Sequence, residues 1–532
     1  MNFLKTISYK NTGYFSKTVI DYLSQSGDLK PFYHLFPNIK NFKKQLEQKT
    51  VSFPLKNRKT LVKTLYKQYQ HIEISKKTKE NIALLAKENS FTITTGHQLN
   101  LFTGPLYFLY KIISTINLCE RLAKEYPKHH FVPIYWMATE DHDFEEIKYF
   151  NFKNKKIQWE RESQGAVGRL TTQGLEEVLK TIKTSFGTSK NADYLIHLFE
   201  ESYLKHSNLT DATRYLTNEL FKEYGLVILD ADDKALKTIF TPFIKEELLY
   251  QTAFAEINKT NKQLSTNYKI QVNPREINLF YLNDNLRERI IFKDEKYFIN
   301  NTQLKFTKSK ILKELENHPE HFSPNVIMRP LYQEVILPNL CYIGGGGELA
   351  YWLELKSYFD KEKIPFPILL LRNSALIMSE KQHKKLQKLF ISKEELFLKQ
   401  NNLINKKIKE ISNLKIDFSE QRQLLKEQFN QLKIVAKQTD KSFIGAVNAQ
   451  EKKQINGLDK LEKRLLKAEK RKLHEIVQRI TLIQNELFPK QSLQERYTNF
   501  SEMYLDFGAT LIPLLKEKLQ PLNMEFSIFE LQ

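Results

Sequence analysis

Between residues 91 and 371 the chain repeatedly sets a short apolar run, too brief for a helix, beside a longer stretch with helical periodicity. That alternation constrains the fold more than any other feature. The runs are 91–95, 131–138 (FVPIYWMA), 226–229, 325–329 and 367–371. They are rich in β-branched and aromatic residues and lack polar alternation, as strands covered on both faces do. A helix is expected at 106–124, and another ends near residue 224. The pattern predicts an α/β core: a parallel sheet with helices on both faces.

The intervals between the runs are unequal. Residues 151–210 and 255–322 are too long for simple crossovers and read as inserted subdomains. The alternation of INLFYLNDNLRERIIFKDEKYFI makes the second partly antiparallel sheet. The core then comprises residues 1–150, 211–254 and 323–380, with the first ninety residues read as loops and amphipathic helices. Residues 381–488 differ in kind: no proline up to residue 487, and Lys, Glu, Gln and Leu in abundance. Leu458, Leu461, Leu465 and Ala468 step by three and four, as do Ile476, Ile480, Ile483 and Leu487. An earlier arm carries Phe418, Leu425 and Leu432 at sevens. These periods predict an antiparallel helical coiled coil whose chain reversal lies within 439–457, where Gly445 and Gly457 stand. Projecting arms of this sort serve to dimerise. The aromatic-rich segment 489–532 is expected to return to the core.

Composition narrows the class. With 532 residues the chain exceeds one typical domain, and no apolar run reaches the roughly 18 residues a membrane span needs. Its start, MNFLKTISYKNTGYFS, lacks a signal peptide's apolar region. Two cysteines, Cys119 and Cys341, fit a reducing cytoplasm. Cys119 shares an apolar helix face with Ile112, Ile116 and Leu122 and reads as core. A net charge of +20 comes mainly from lysines interleaved with glutamates, which favours a solvated basic face over a nucleic-acid groove. Neither CxxC nor HExxH spacing occurs, so no metal site is expected.

In such a sheet, ligands sit beyond the carboxyl ends of the strands, and the unusual residues cluster there. In TTGHQLNLFTGPLYFLYK (94–111), Thr103, Gly104 and Pro105 read as a helix start whose free amides favour an anion. Gly96 lets the backbone approach a ligand, and His97, Gln98 and Asn100 add polar groups; the alternative is a structural turn whose side chains satisfy one another. In TEDHDFEEI, Asp141, His142 and Asp143 suit a general base, a metal or an ammonium, or else an acidic helix start. Gly344, Gly345, Gly346 and Gly347 are four of only 16 glycines and precede Glu348, which favours a backbone cradle for a phosphate or carboxylate. Arg329, read as a strand end, can clamp a carboxylate, with Tyr332 and Glu334 close behind and Glu334 able to hold an amine. Arg372 and Ser374 end the last strand, Arg372 being either a second clamp or half of a buried ion pair.

The stretches TTGHQLNLFTGPLYFLYKI, VPIYWMATEDHDFEEI and SPNVIMRPLYQEVILPNLCYIGGGGELAYWLELK, followed by LLLRNS, resemble the bacillithiol biosynthesis cysteine-adding enzymes, the BshC family. The resemblance runs over essentially the whole chain. It implies a Rossmann-like core related to class I aminoacyl-tRNA synthetases, connecting insertions, and a C-terminal coiled coil. It further implies a cytoplasmic, dimeric ligase that joins the carboxyl of L-cysteine to the amine of glucosaminyl malate, with neither nucleic acid nor membrane as partner. ATP with Mg2+ is the expected means of activation. By the same resemblance, the 96–104 turn and the glycine run steady developing negative charge, Arg329 or Arg372 binds the malate carboxylates, and Asp141, His142 or Asp143 takes the amine proton. Two rivals stand beside it: a nucleotidyltransferase or tRNA-modifying enzyme on the same fold, and a non-catalytic coiled-coil assembly protein.

Overall fold

A computed structural model describes residues 2–439 and 441–531. Five parallel strands form the central sheet: β1 (Ser90–His97), β2 (His130–Met137), β3 (Val227–Asp230), β4 (Asn339–Gly344) and β5 (Ile368–Leu371). Their order is β3-β2-β1-β4-β5, so the chain changes direction across the sheet between β1 and β4. That is the place where an open α/β sheet leaves a crevice. Side chains alternate between two cores. Ile368 and Leu370 join Phe91, Ile93 and Leu118 on one face; Leu369 and Leu371 join Val132, Ile134 and Trp352 on the other. Both faces are thus covered, as the unbroken apolar runs predict.

One predicted strand is a different element. Residues 325–329 do not enter the central sheet; the Asn325 side chain instead accepts from the amides of Ile327 and Met328 and starts a helix, Met328–Ile336. Pro330 is tolerated there because first-turn amides have no helical acceptor. The true fourth strand is Asn339–Gly344, which runs straight into the glycines. The expected helix after the first strand is α1 (Tyr107–Glu125). Thr103 does not cap it: Phe102 and Thr103 both have positive φ in a tight turn, and the Leu106 amide donates to Thr498 O at 2.7 Å. The helix start is therefore closed by the C-terminal segment rather than left open for an anion.

The second insertion holds a five-stranded antiparallel sheet, from Leu279–Asn283 and Leu286–Lys293 to the edge strand Phe322–Pro324. It packs near α2 (Lys234–Tyr250). The beginning of the chain also holds a strand, Asn2–Ser8, absent from the loop-and-helix reading. It pairs antiparallel with Glu525–Leu531, which pairs in parallel with Ala375–Ser379. The final segment thus returns to the body of the protein.

After α3 (Met328–Ile336) and α4 (Gly346–Leu353), the projecting pair consists of α5 (Ser419–Ala436) and α6 (Lys441–Lys472). They run antiparallel. Arg422 bonds Asp459 (2.8 Å) and Glu462, Lys433 pairs with Glu451, and Phe429, Ala436 and Val447 are buried between them. The reversal falls between residues 436 and 441, of which Asp440 lies outside the described residues. Gly445 and Gly457 are consequently inside α6 rather than at the turn, a loss of about 1 kcal/mol each that the length of the helix absorbs. Leu432 is exposed because the seam follows Leu425, Phe429 and Ala436 instead.

Candidate active site

Two adjoining cavities open at the carboxyl ends of β1, β2 and β4, with Trp136, Ala138, Val326 and Arg329 as their common wall. The smaller, about 350 Å³, lies at the switch point between β1 and β4. Its centre is an ion pair that spacing did not reveal: Lys111 Nζ on α1 to Glu348 Oε2 on α4, 2.6 Å. Lys111 also donates to Gly96 O at 2.7 Å, and Glu348 accepts from Tyr342 OH at 2.6 Å and the Gly345 amide at 2.8 Å. Burial would raise the Glu348 carboxyl, but Lys111 and these donors outweigh it and hold it below its ordinary value. Burial draws the Lys111 ammonium down. Gly96 is needed for closeness, since a Cβ there would stand 3.2 Å from the Tyr342 hydroxyl. Gly344 is tighter still, with Glu348 Cβ at 2.9 Å.

The larger cavity, about 470 Å³, lies between the end of β2 and the antiparallel sheet. Arginines surround it: Arg329 from α3, Arg287 and Arg289 from alternate positions of one strand, and Arg275. Arg329 donates to Gln333 Oε1 (3.1 Å) and Tyr351 OH (3.3 Å), and its guanidinium stands over the Trp136 and Tyr342 rings. Arg287 lies over the Phe280 ring and reaches His142 Nδ1 at 2.6 Å. Burial and Arg287 both pull the His142 pKa down. Asp141 accepts from Gln98 Nε2 (2.9 Å) and from the His142 amide (2.8 Å). Beneath it, wholly buried Lys237 on α2 pairs with Glu140 and with Asp232 (3.2 Å), and those carboxylates outweigh burial to hold Lys237 above its ordinary value.

The structure divides the sequence-derived candidates. Gly96, His97, Gln98, Arg329 and Glu348 line the smaller cavity, and Asp141 and His142 the larger. His97 is packed against Tyr107 and Phe108, and burial lowers its pKa to about 3, so it stands neutral. Asp143 caps the short helix Phe144–Ile147 by accepting from the Glu146 amide. Asn100 donates to Glu146 O, and Gly104, at φ +64°, presses where a Cβ would meet Asn100 Cβ at 2.6 Å. Of the four glycines, Gly345 caps α4 through Glu348, Gly346 lies against Val19, and Gly347 faces open space.

Three candidates are spent on the core. Tyr332 donates to Ala231 O, and Glu334 pairs with Lys49 at 3.0 Å where neither is exposed. Arg372 takes the buried-pair alternative, bonding Glu495 at 2.8 Å and Ser374 Oγ at 3.1 Å. Lys111 had a legible signal: it is the lone charge in LYFLYKIISTINLC. Arg275, Arg287 and Arg289 had none, because only tertiary folding brings the insertion over the strand ends. Among the described residues, one metal-capable group exists, His318, Glu320 and His321, outside both cavities.

Residues 1–373 match the family described as bacillithiol biosynthesis BshC, N-terminal Rossmann-like domain, and residues 375–531 the matching C-terminal coiled-coil domain. Proteins bearing the name of the cysteine ligase BshC share 61% identity in Flavobacterium johnsoniae, 56% in Christiangramia forsetii and 38% in Cytophaga hutchinsonii. The first two alignments span 98% of both chains, the third 99% of both. No described helix is long and apolar enough to cross a membrane. The family matches and these relatives cover the chain from end to end, and the chain belongs to the BshC family of bacillithiol biosynthesis ligases.

Proposed function

We propose that this ligase joins the carboxyl of L-cysteine to the glucosamine amine of glucosaminyl malate. The observation that carries the reading is the pair of cavities with one shared wall. Amide formation needs two reactants held side by side, and proximity of that kind lowers a barrier by several kcal/mol, up to about 7–11. The arginine-lined cavity suits the malate carboxylates, which Arg329 and Arg287 can grip in bidentate fashion. The Lys111–Glu348 cavity, carrying one charge of each sign, suits the ammonium and carboxylate of an amino acid.

The amine attacks only when neutral. His142 Nδ1 faces the Arg287 guanidinium, so its lone pair is committed, and Asp141 is the group we assign to accept the proton. Gln98 fixes the Asp141 carboxylate from the far side. When bound, ATP with Mg2+ supplies activation of the cysteine carboxyl. Lys111 and Arg329, the latter on the wall that both cavities share, are the charges that would hold its phosphates. Leu424, Ile434 and Val435 are exposed on the arm and support association of two copies through the coiled coil.

The test is a mass-spectrometric assay of purified protein with L-cysteine, glucosaminyl malate, ATP and Mg2+. Bacillithiol is the expected product, with AMP or ADP revealing how the carboxyl is activated. Absence of product, together with failure to restore bacillithiol in cells that lack this step, overturns the assignment. Light scattering on the same preparation tests the dimer.

A further inference from the structure

The turn that follows residue 317 reads HPEH, and the fold concentrates ligating groups around it. We propose that His318, Glu320 and His321 bind a divalent transition-metal ion of the Zn2+ class at the turn that faces α2. The three side chains offer one ligand atom each, all within 4.8 Å of one another. A tetrahedral Zn2+ with bonds of about 2.0–2.2 Å holds adjacent ligand atoms roughly 3.4 Å apart, so closure on the ion takes an inward movement of about 1 Å. Rotation of three side chains supplies that.

Two further observations point to an ion rather than to a chance grouping. First, His321 Nδ1 lies 2.7 Å from Glu314 Oε1, and that carboxylate also accepts from Tyr281 OH at 2.8 Å. A carboxylate behind a histidine fixes its tautomer and turns the other nitrogen outward for ligation, the arrangement that ligating histidines have. Secondly, Glu320 has its two oxygens in different circumstances. Oε1 accepts from Lys234 Nζ at 3.0 Å and lies 3.4 Å from His318 Nδ1, whereas Oε2 is shielded from solvent with no side-chain donor among the described residues. A shielded carboxylate oxygen without a partner is costly unless something cationic reaches it. The His318 and His321 rings are nearly parallel, at 4.8 Å and 13°, on a turn stiffened by Pro319. Two imidazoles and one carboxylate make a donor set of Zn2+ type, with a fourth position for water.

Hydrogen bonds tie this turn to α2. Lys234 also donates to Asn317 O (2.9 Å), and Lys237 donates to Glu320 O (3.2 Å). Lys237 is the residue that pairs with Glu140 beside the larger cavity. An ion at the turn would therefore stiffen the loop on which Lys234 and Lys237 of α2 rest, next to the edge strand of the antiparallel sheet. This inference is independent of what the cavities bind.

The experiment uses the full-length protein stripped with chelator and titrated with Zn2+ against a competing indicator, then with Co2+ as a spectroscopic probe. One equivalent is expected, with Co2+ giving the intense visible bands of a tetrahedral N/O site. His318→Gln combined with His321→Gln should weaken binding at least 100-fold, and Glu314→Gln, which only frees the tautomer, 10- to 100-fold. Circular dichroism checks that each variant folds. Saturable binding that survives in the double variant overturns the proposal, as does the lack of a stoichiometric Zn2+ site in the wild type. Should the double variant misfold, a Co2+ spectrum unchanged by Glu314→Gln overturns it equally.

Discussion

Lys111→Met strands a charge at the centre of the smaller cavity. The ammonium lies 2.6 Å from Glu348 Oε2, with the two side chains 5% and 24% exposed. Breaking a buried pair by removing one partner costs about 3–5 kcal/mol. Glu348 keeps the Tyr342 and Gly345 donors and some contact with water, which places the change at the lower end, about 3 kcal/mol. If the 373 residues of the Rossmann-like domain unfold together, their unfolding entropy is about 0.8 kcal/mol/K, and the midpoint falls by about 4 °C. Adding Glu348→Gln removes the stranded charge, so the double variant should regain about 2 kcal/mol while losing still more activity. Thermal melts give the midpoint, denaturant melts the stability, and the bacillithiol assay kcat/KM. A Lys111→Met midpoint within 1 °C of the wild type, or a double variant no more stable than the single, refutes the pairing argument. Undiminished kcat/KM in Lys111→Met refutes the place of the pair in the site.

Further outcomes follow from single contacts. His97 has a folded pKa of about 3, below the ordinary 6.5, so its share of stability is complete above pH 6.5 and is lost as pH falls toward 3. Between pH 6 and 4, His97→Gln should flatten the stability curve by about 1.4 kcal/mol per unit, and the His97 ring proton should not titrate by NMR above pH 5. Asn499→Ala removes donors to Phe102 O (2.8 Å) and Gly104 O (2.6 Å); a loss of about 2 kcal/mol and a several-fold fall in kcat/KM are expected in denaturant melts and turnover assays. Asp143→Ala should cost about 1 kcal/mol as a lost cap yet keep turnover within a few-fold, whereas Asp141→Asn should abolish product formation.

Local pattern was enough for the parallel core and the helical arm, because periodicity records which faces are buried. It also marked the turn at 94–104 and the glycine run, where scarce glycines report close backbone approach. It failed where two local readings were equally good. VIMR suits a strand as well as a helix start, and only the Asn325 cap decides between them. Glu334, Tyr332 and Arg372 look like site residues in a one-dimensional reading, since a charge buried for support and one aimed at a ligand have the same local context.

Sequence by itself therefore determined the class of fold, the family and the segments that meet at the strand ends. Tertiary structure alone decided which side chains share a cavity. The reason is physical: Lys111 meets Glu348 across 237 residues, and Arg287 meets His142 across 145. Such partners are chosen by sheet order and by the docking of an insertion, quantities that no local period encodes.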